Sequence, residues 1–175
     1  KITIAIIDTG VNRVSELKRI KFTSGYDFVN DRNYASDNNG HGTHIAKIIK
    51  QTINDKKVFN KLRIMPLKVL SKAGEGLTSD IADAIRYATD NGADIINMSL
   101  EGKSKSQILE NAINYAYNKS VIIIAAAGND NNNTASYPAR YQKVISVSAL
   151  DKTGNKASYS NFGAKVNISA PGSSN

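Results

Sequence analysis

The sequence predicts an α/β fold: three layers, with a mostly parallel sheet flanked by helices. Two observations carry this. Short, nearly continuous apolar runs recur along the chain, as in strands buried on both faces. Between several of them lie stretches of about a dozen residues with apolar positions at helical spacing, which reads as βαβ units. Right-handed crossovers then put helices on both faces of the sheet. A chain of 175 residues suits one domain, residues 1–175, with a real core.

The first strand is Ile2 to Ile7. It ends at Asp8-Thr9-Gly10, where glycine permits a tight turn. Residues 11–40 are polar and rich in turn formers, with a minor strand at Tyr26-Asp27-Phe28-Val29. A helix starts near Gly42 or Thr43 and turns Ile45, Ala46, Ile48 and Ile49 inward. Residues 63–70 form the next buried strand, and Pro66 implies an unpaired donor position or a place near an edge. Thr78 or Ser79 caps a helix carrying Ile81, Ala84, Ile85 and Ala88, which Gly92 closes. Residues 94–100 are a third strand. Ser104 or Ser106 opens a helix with Ile108, Leu109, Ala112, Ile113 and Ala116 on its buried face. Residues 121–127 and 144–150 are further strands, and 166–168 a sixth, before Ala170-Pro171-Gly172.

Composition excludes several classes. The apolar fraction of 41% argues against disorder. No apolar run approaches the ~20 residues that span a bilayer, so no membrane span is expected. Lys1-Ile2-Thr3-Ile4 already reads as a strand, so no signal peptide is visible. Cysteine is absent, which removes disulfide and thiol chemistry and leaves the redox compartment open. The net charge of +8 raises nucleic acid as a partner, but the lysines are scattered and no aromatic residues interleave with them. A solvated basic surface, or attraction to an anionic surface such as a bacterial wall, is the better reading.

In a doubly wound sheet the functional crevice lies at the carboxyl ends of the strands. Asp8, Leu100 and Asn129 all fall at such ends. His41 stands between Gly40 and Gly42, where a loop turns into a helix. A histidine of pKa near 7 serves as both base and acid, best when a buried carboxylate fixes its tautomer. Asp8 ends an apolar strand, where a carboxylate is costly unless partnered, although it also suits a loop cap. Asp8-Thr9-Gly10 also occurs at aspartic-protease sites, but that chemistry needs two such segments in a β-rich frame, and here there is one. His41 and His44 are too few ligands for a metal, with no further His or Cys in the chain, so none is expected there. His44 reads as a packed or hydrogen-bonded helix residue. Asn129 follows Ala125-Ala126-Ala127-Gly128, small residues that permit close approach. Its amide suits an oxyanion donor, or a simple turn.

Together Ile6-Ile7-Asp8-Thr9-Gly10-Val11, Gly40-His41-Gly42-Thr43-His44-Ile45-Ala46 and Ala125-Ala126-Ala127-Gly128-Asn129 resemble the subtilisin-like serine proteases, the subtilases of peptidase family S8. Lys68-Val69-Leu70, Asn97-Met98-Ser99-Leu100, Tyr137-Pro138-Ala139 and residues 158–163 match as well, so the resemblance runs over the whole chain. It implies a serine endopeptidase in which Asp8 orients, His41 is general base and then acid, and Asn129 donates to the oxyanion. It implies substrate peptide held as an added strand between Gly74-Glu75-Gly76 and Ser99-Leu100-Glu101-Gly102. Ala126, Ala127 and Gly128 would line the main specificity pocket, with Ser136 near its base. By the same resemblance the partners are a polypeptide substrate and a pro-domain. The location is extracellular or cell-wall associated in a bacterium, with a cytoplasmic member as the alternative.

The family's nucleophilic serine sits in a Gly-Thr-Ser-Met-Ala type motif well beyond Ala-Pro-Gly, whereas only Ser173-Ser174-Asn175 follow Gly172. No nucleophile is assigned, the C-terminal part of the fold is expected to be missing, and this polypeptide alone is expected not to hydrolyse peptides. The alternative is a non-catalytic pseudoprotease or peptide-binding module. No cofactor is required. Residues 51–55 offer few arranged carboxylates, so a structural calcium site there lacks support. Glu101 stands where many relatives carry glycine. If it faces the pocket, a basic residue before the scissile bond is favoured; otherwise it is a solvent-facing glutamate.

Overall fold

A computed structural model describes residues 1–172. Among them eight strands form one sheet, and every strand pairing in it is parallel. The strands are β1 (Ile2–Asp8), β2 (Lys21–Phe22), β3 (Tyr26–Asp27), β4 (Leu62–Lys68), β5 (Ile95–Met98), β6 (Ile122–Ala126), β7 (Ile145–Leu150) and β8 (Ile168–Pro171). Their order is β2-β4-β1-β5-β6-β7-β8, with β3 also paired to β4. The helices are α1 (His41–Thr52), α2 (Lys56–Lys61), α3 (Thr78–Asp90) and α4 (Gln107–Asn118), and a 3-10 turn covers Ser15–Leu17.

Two apolar layers cover the sheet. α3 and α4 bury Ile81, Ile85, Leu109 and Ile113 against Ala5, Ile7, Met65, Leu67, Ile96 and Ile123. On the opposite face α1 places Ala46, Ile45 and Ile49 against Ile6, Leu62 and Ile64. The chain runs from β1 outward to β4 through α1, then back across β1 to β5 through α3 on the other face. Reversing both direction and face keeps one handedness, as parallel crossovers require. The reversal opens a crevice between the carboxyl ends of β1 and β5, where ligands bind in such sheets.

The structure explains Pro66. β4 is second from the edge, and β2 and β3 pair with it at residues 63–64 and 67–68, leaving residues 23–25 as a bulge opposite Pro66. Its missing N–H faces that bulge, where Gly25 sits so close that a methyl group on it would fall 2.4 Å from the Pro66 carbonyl oxygen.

Several expectations need correction. α3 has Leu77, not Thr78 or Ser79, at its N-cap, and no side chain caps it. For α4 the expectation holds at one of its two candidates, Ser106, whose hydroxyl accepts from the Leu109 N–H. The last strand begins at Ile168, two residues later than 166. β2 and α2 were not foreseen: β2 is two residues long, and α2 is one short turn-and-a-half without a buried residue. Asp55 accepts from the N–H groups of Lys57 and Val58 at the start of α2, so the one carboxylate in residues 51–55 is used as a helix cap.

The α1 side of β5–β8 carries no helix among the described residues. Alternate residues there form an apolar face, with Ile122, Ile145 and Ile168 exposed. Beside α1 it deepens into a groove of about 300 Å³ lined by Ile45, Ile48, Ile49, Ile124, Val147 and Ala170, among others. The Ala-Pro-Gly end of β8 lies on its rim.

Candidate active site

Asp8 is the last residue of β1 and is fully buried. Its Oδ1 accepts from the Thr9 N–H at 2.7 Å. His41 is the first residue of α1, and its Nδ1 lies 2.8 and 3.0 Å from the two Asp8 oxygens. The imidazole is about half exposed and lines the principal cavity of the site. Among the described residues its Nε2 has no hydrogen-bond partner. The hydrogen bond to Asp8 raises the His41 pKa above the ordinary imidazole value, against the lowering effect of burial.

The start of α1 is fixed by side chains reaching in from the loops, because its N-cap Gly40 has none. Asn39 Oδ1 accepts from the His41 N–H, Thr9 Oγ1 from the Gly42 N–H, and Asp37 Oδ2 from the Thr43 N–H and hydroxyl. The orphan amides of the first turn are thereby satisfied. Asp37 also accepts from Thr9 Oγ1 and from the N–H groups of Asn39 and Gly40. Burial pushes the Asp37 carboxyl up, but bonds from Thr43, Gly40 and Asn39 outweigh it and hold the pKa below the ordinary value. Gly42 lets the helix approach the strand: a methyl group there would fall 2.1 Å from the Gly10 carbonyl oxygen and 3.2 Å from Asp8. This close approach is what brings an imidazole within hydrogen-bond reach of a buried carboxylate.

Lys68 lies beside Asp8 in the β1–β4 register and is 1% exposed. Its ammonium donates to the carbonyls of Thr9 and Leu70 and to Asn38 Oδ1 at 2.6–3.0 Å. Burial lowers its pKa, opposed chiefly by the Asp27 and Asp37 carboxylates. Lys68 thus ties together the turns that follow β1 and β4.

The principal cavity is about 500 Å³ and is lined by most of the sequence-predicted groove. Gly74, Glu75 and Gly76 form one wall. Ser99, Leu100, Glu101 and Gly102 form the other, joined by Ala126, Gly128 and Asn129. Ala127 does not line it: it is buried, and its carbonyl accepts from the Asn161 amide and the Ser136 N–H. Ser136 lines an adjoining smaller cavity, and its hydroxyl accepts from Asn161 behind Gly128. Asn129 is exposed at the cavity rim, on the same cavity as His41. His44 is exposed, not packed, because it falls on the solvent side of α1. Ser173 and Ser174 lie outside the described residues. Among those residues no cluster of three or more His, Cys, Asp or Glu could hold a metal ion.

Sequence reading did not single out Asp37, Thr9, Lys68 or Asn161 as site residues. Lys68 carried a usable signal: a lysine inside a buried strand must find acceptors. Asp37, three residues before Gly40, reads as an ordinary turn former, and nothing local shows that its carboxylate serves three segments.

Comparison with known proteins gives one answer. The Peptidase S8 subtilase family model matches residues 1–175. A thermophilic serine proteinase of Bacillus sp. (strain AK1) is 43% identical over 173 residues, covering 97% of this chain and 43% of that protein. Subtilisin DY of Bacillus licheniformis is 39% identical, covering 98% of this chain and 64% of its own length. The chain therefore spans between two fifths and two thirds of these curated relatives. The crystal structure of a cold adapted subtilisin-like serine proteinase superposes with a TM-score of 0.87 at 34% identity, over 98% of this chain and 63% of that one. A buried carboxylate and an imidazole at the end of a doubly wound sheet, and a family match along the full length, agree: this chain belongs to the subtilase family of serine proteases.

Proposed function

We propose that residues 1–175 supply the base, orienting carboxylate, oxyanion donor and substrate groove of a subtilisin-type serine endopeptidase. The observation that carries this is His41 Nδ1 at 2.8 Å from the fully buried Asp8 carboxylate. With Nδ1–H donating to Asp8, Nε2 is the lone-pair nitrogen, and it belongs to an imidazole lining the cavity.

In this reading a serine supplied from outside residues 1–175 gives its proton to Nε2 as its oxygen attacks the peptide carbonyl. Asp8 stabilises the imidazolium that forms, and Nε2 returns the proton to the leaving amine. The Asn129 amide donates to the oxyanion. Peptide lies extended between residues 74–76 and 99–102, adding a strand to both. No step draws on a cofactor. The basic surface faces solvent and takes no nucleic acid. By analogy with its Bacillus relatives we place the protein in a bacterium, outside the cytoplasm and made with a pro-domain. Among the described residues no helix is long and apolar enough to cross a membrane.

The test is a fluorophosphonate probe on the full-length gene product, followed by peptide mapping. One labelled serine C-terminal to residue 175, lost in His41→Ala, supports the endopeptidase. No labelled serine would instead support a peptide-binding module that keeps the groove without the nucleophile.

A further inference from the structure

The principal cavity is opposite in charge to the chain that forms it. The sequence holds 23 Lys and Arg against 15 Asp and Glu. Yet the cavity is lined by Glu75 and Glu101 and by no lysine or arginine. A basic protein with an acidic groove draws in cationic peptide locally while its outer surface repels it.

Glu101 is the better placed of the two carboxylates. Its Oε2 accepts from the Asn129 N–H at 3.1 Å, the backbone amide of the residue whose side chain is assigned to the oxyanion. It hangs directly over Gly128: a methyl group there would fall 2.6 Å from Glu101 Oε2 and 2.6 Å from Ser136 Oγ. The absence of a side chain at Gly128, whose φ is +113°, is what admits the carboxylate. One backbone N–H uses a single acceptor position, and a carboxylate has about four. The remaining positions stay free for an incoming donor, and Ser136 holds its hydroxyl close by, already accepting from Asn161.

The adjoining smaller cavity shares Gly102 and Tyr137 with the principal one. Asp130 adds a carboxylate there, while Lys103 and Arg140 also line it. Arg140 is drawn toward the Tyr137 ring, 5.6 Å from its centroid. Lys103 and Arg140 belong to the smaller cavity, and the carboxylate that touches both Asn129 and Gly128 is Glu101.

Resting on the endopeptidase reading, we propose that Glu101 determines specificity: it selects arginine, ahead of lysine, as the substrate residue that carries the scissile carbonyl. A planar guanidinium engages a carboxylate through two parallel N–H bonds and tolerates partial desolvation better than an ammonium. A neutral residue of the same size leaves the Glu101 carboxylate without a cationic partner.

The test uses the full-length gene product and matched fluorogenic peptides differing only at that residue: arginine, citrulline (its neutral isostere) and leucine. We expect kcat/KM for arginine to exceed that for citrulline at least tenfold in the wild type, with the ratio falling at high salt. In Glu101→Gln the ratio collapses to within about twofold, and in Glu101→Asp a preference for arginine survives. Equal rates for arginine and citrulline in the wild type overturn the proposal, whatever the variants do, and so does a ratio that survives in Glu101→Gln. Enzyme that reacts with fluorophosphonate but cuts leucine as fast as arginine overturns this inference alone. Protein that neither reacts nor cuts any peptide overturns the endopeptidase reading, and the inference falls with it.

Discussion

At the scale of single residues, the site depends on a few polar groups whose partners are already in place. Asn129 is exposed at the cavity rim, and the proposed function makes its amide the oxyanion donor. Asn129→Ala is expected to lower kcat by about 10²–10³ with little change in KM, the magnitude known from the corresponding donor of subtilisin itself. Steady-state kinetics on the full-length protein measure it. Lys68 is the reverse case, buried and committed to three acceptors. Lys68→Met leaves those acceptors unpaired beside buried Asp8, and an unfolding free energy lower by about 3 kcal/mol is expected from denaturant titration. His41 and Asp8 also link stability to pH. The His41 pKa is raised in the folded state, so the pair contributes fully below the unfolded value of about 6.5 and the contribution is lost as pH rises through the folded pKa. The stability difference between wild type and His41→Ala should therefore shrink on going from pH 5.5 to pH 9. Asp8 and His41 were legible in the sequence because each sits at a boundary where its residue type is costly or unusual. Asp37 was not, because its role is created by three segments meeting in space.

At the scale of elements, the decisive contact is α1 against the turn after β1. The helix starts where it does because Asn39, Thr9 and Asp37 take up its first amides, and it sits as close as it does because residue 42 is glycine. Gly42→Ala adds a methyl group that must displace the Gly10 carbonyl or the helix. We expect a loss of about 2 kcal/mol or more in stability, a longer His41–Asp8 distance in a crystal structure, and a fall in kcat larger than that in stability alone would produce. The long strands and helices were legible from their periodicity, and their ends from Gly92 and Ser106. The elements that were missed share one cause. β2 and α2 are too short for periodicity to register, and their existence depends on tertiary pairing with β4 or on a single aspartate cap. Pro66 implied an unpaired donor position or a place near an edge, and both hold: β4 is second from the edge, and the bulge at residues 23–25 lies opposite the missing donor.

At the scale of the whole molecule, helices cover both faces of the sheet only as far as β5. Beyond it the α1 side presents Ile122, Ile145 and Ile168, which are 49%, 37% and 55% exposed, beside the groove under Ile45, Ile48 and Ile49. An apolar face of this extent on an isolated chain binds apolar probes and promotes association. A polypeptide limited to residues 1–175 is expected to enhance the fluorescence of anilinonaphthalene sulfonate and to self-associate in sedimentation, and the full-length product to do neither. Only through the expectation, implied by the resemblance, that a C-terminal part of the fold is missing did the sequence point to this face. Its composition, alternate isoleucines, valine and alanine along β5–β8, was visible in the sequence, but which side of each strand faced outward came only with the register.

The central claim is that His41 is a general base tuned and oriented by Asp8. The pH dependence of kcat/KM for the full-length protein, wild type beside Asp8→Asn, tests it most directly. The account predicts an acidic limb above the ordinary imidazole value of about 6.5, because only neutral His41 accepts the serine proton and Asp8 raises its pKa. In Asp8→Asn that limb should move to lower pH and the plateau rate should fall by roughly 10⁴-fold, the scale known for triad carboxylates in serine proteases, subtilisin included. An unchanged limb, or a plateau within a few-fold of wild type, would contradict it.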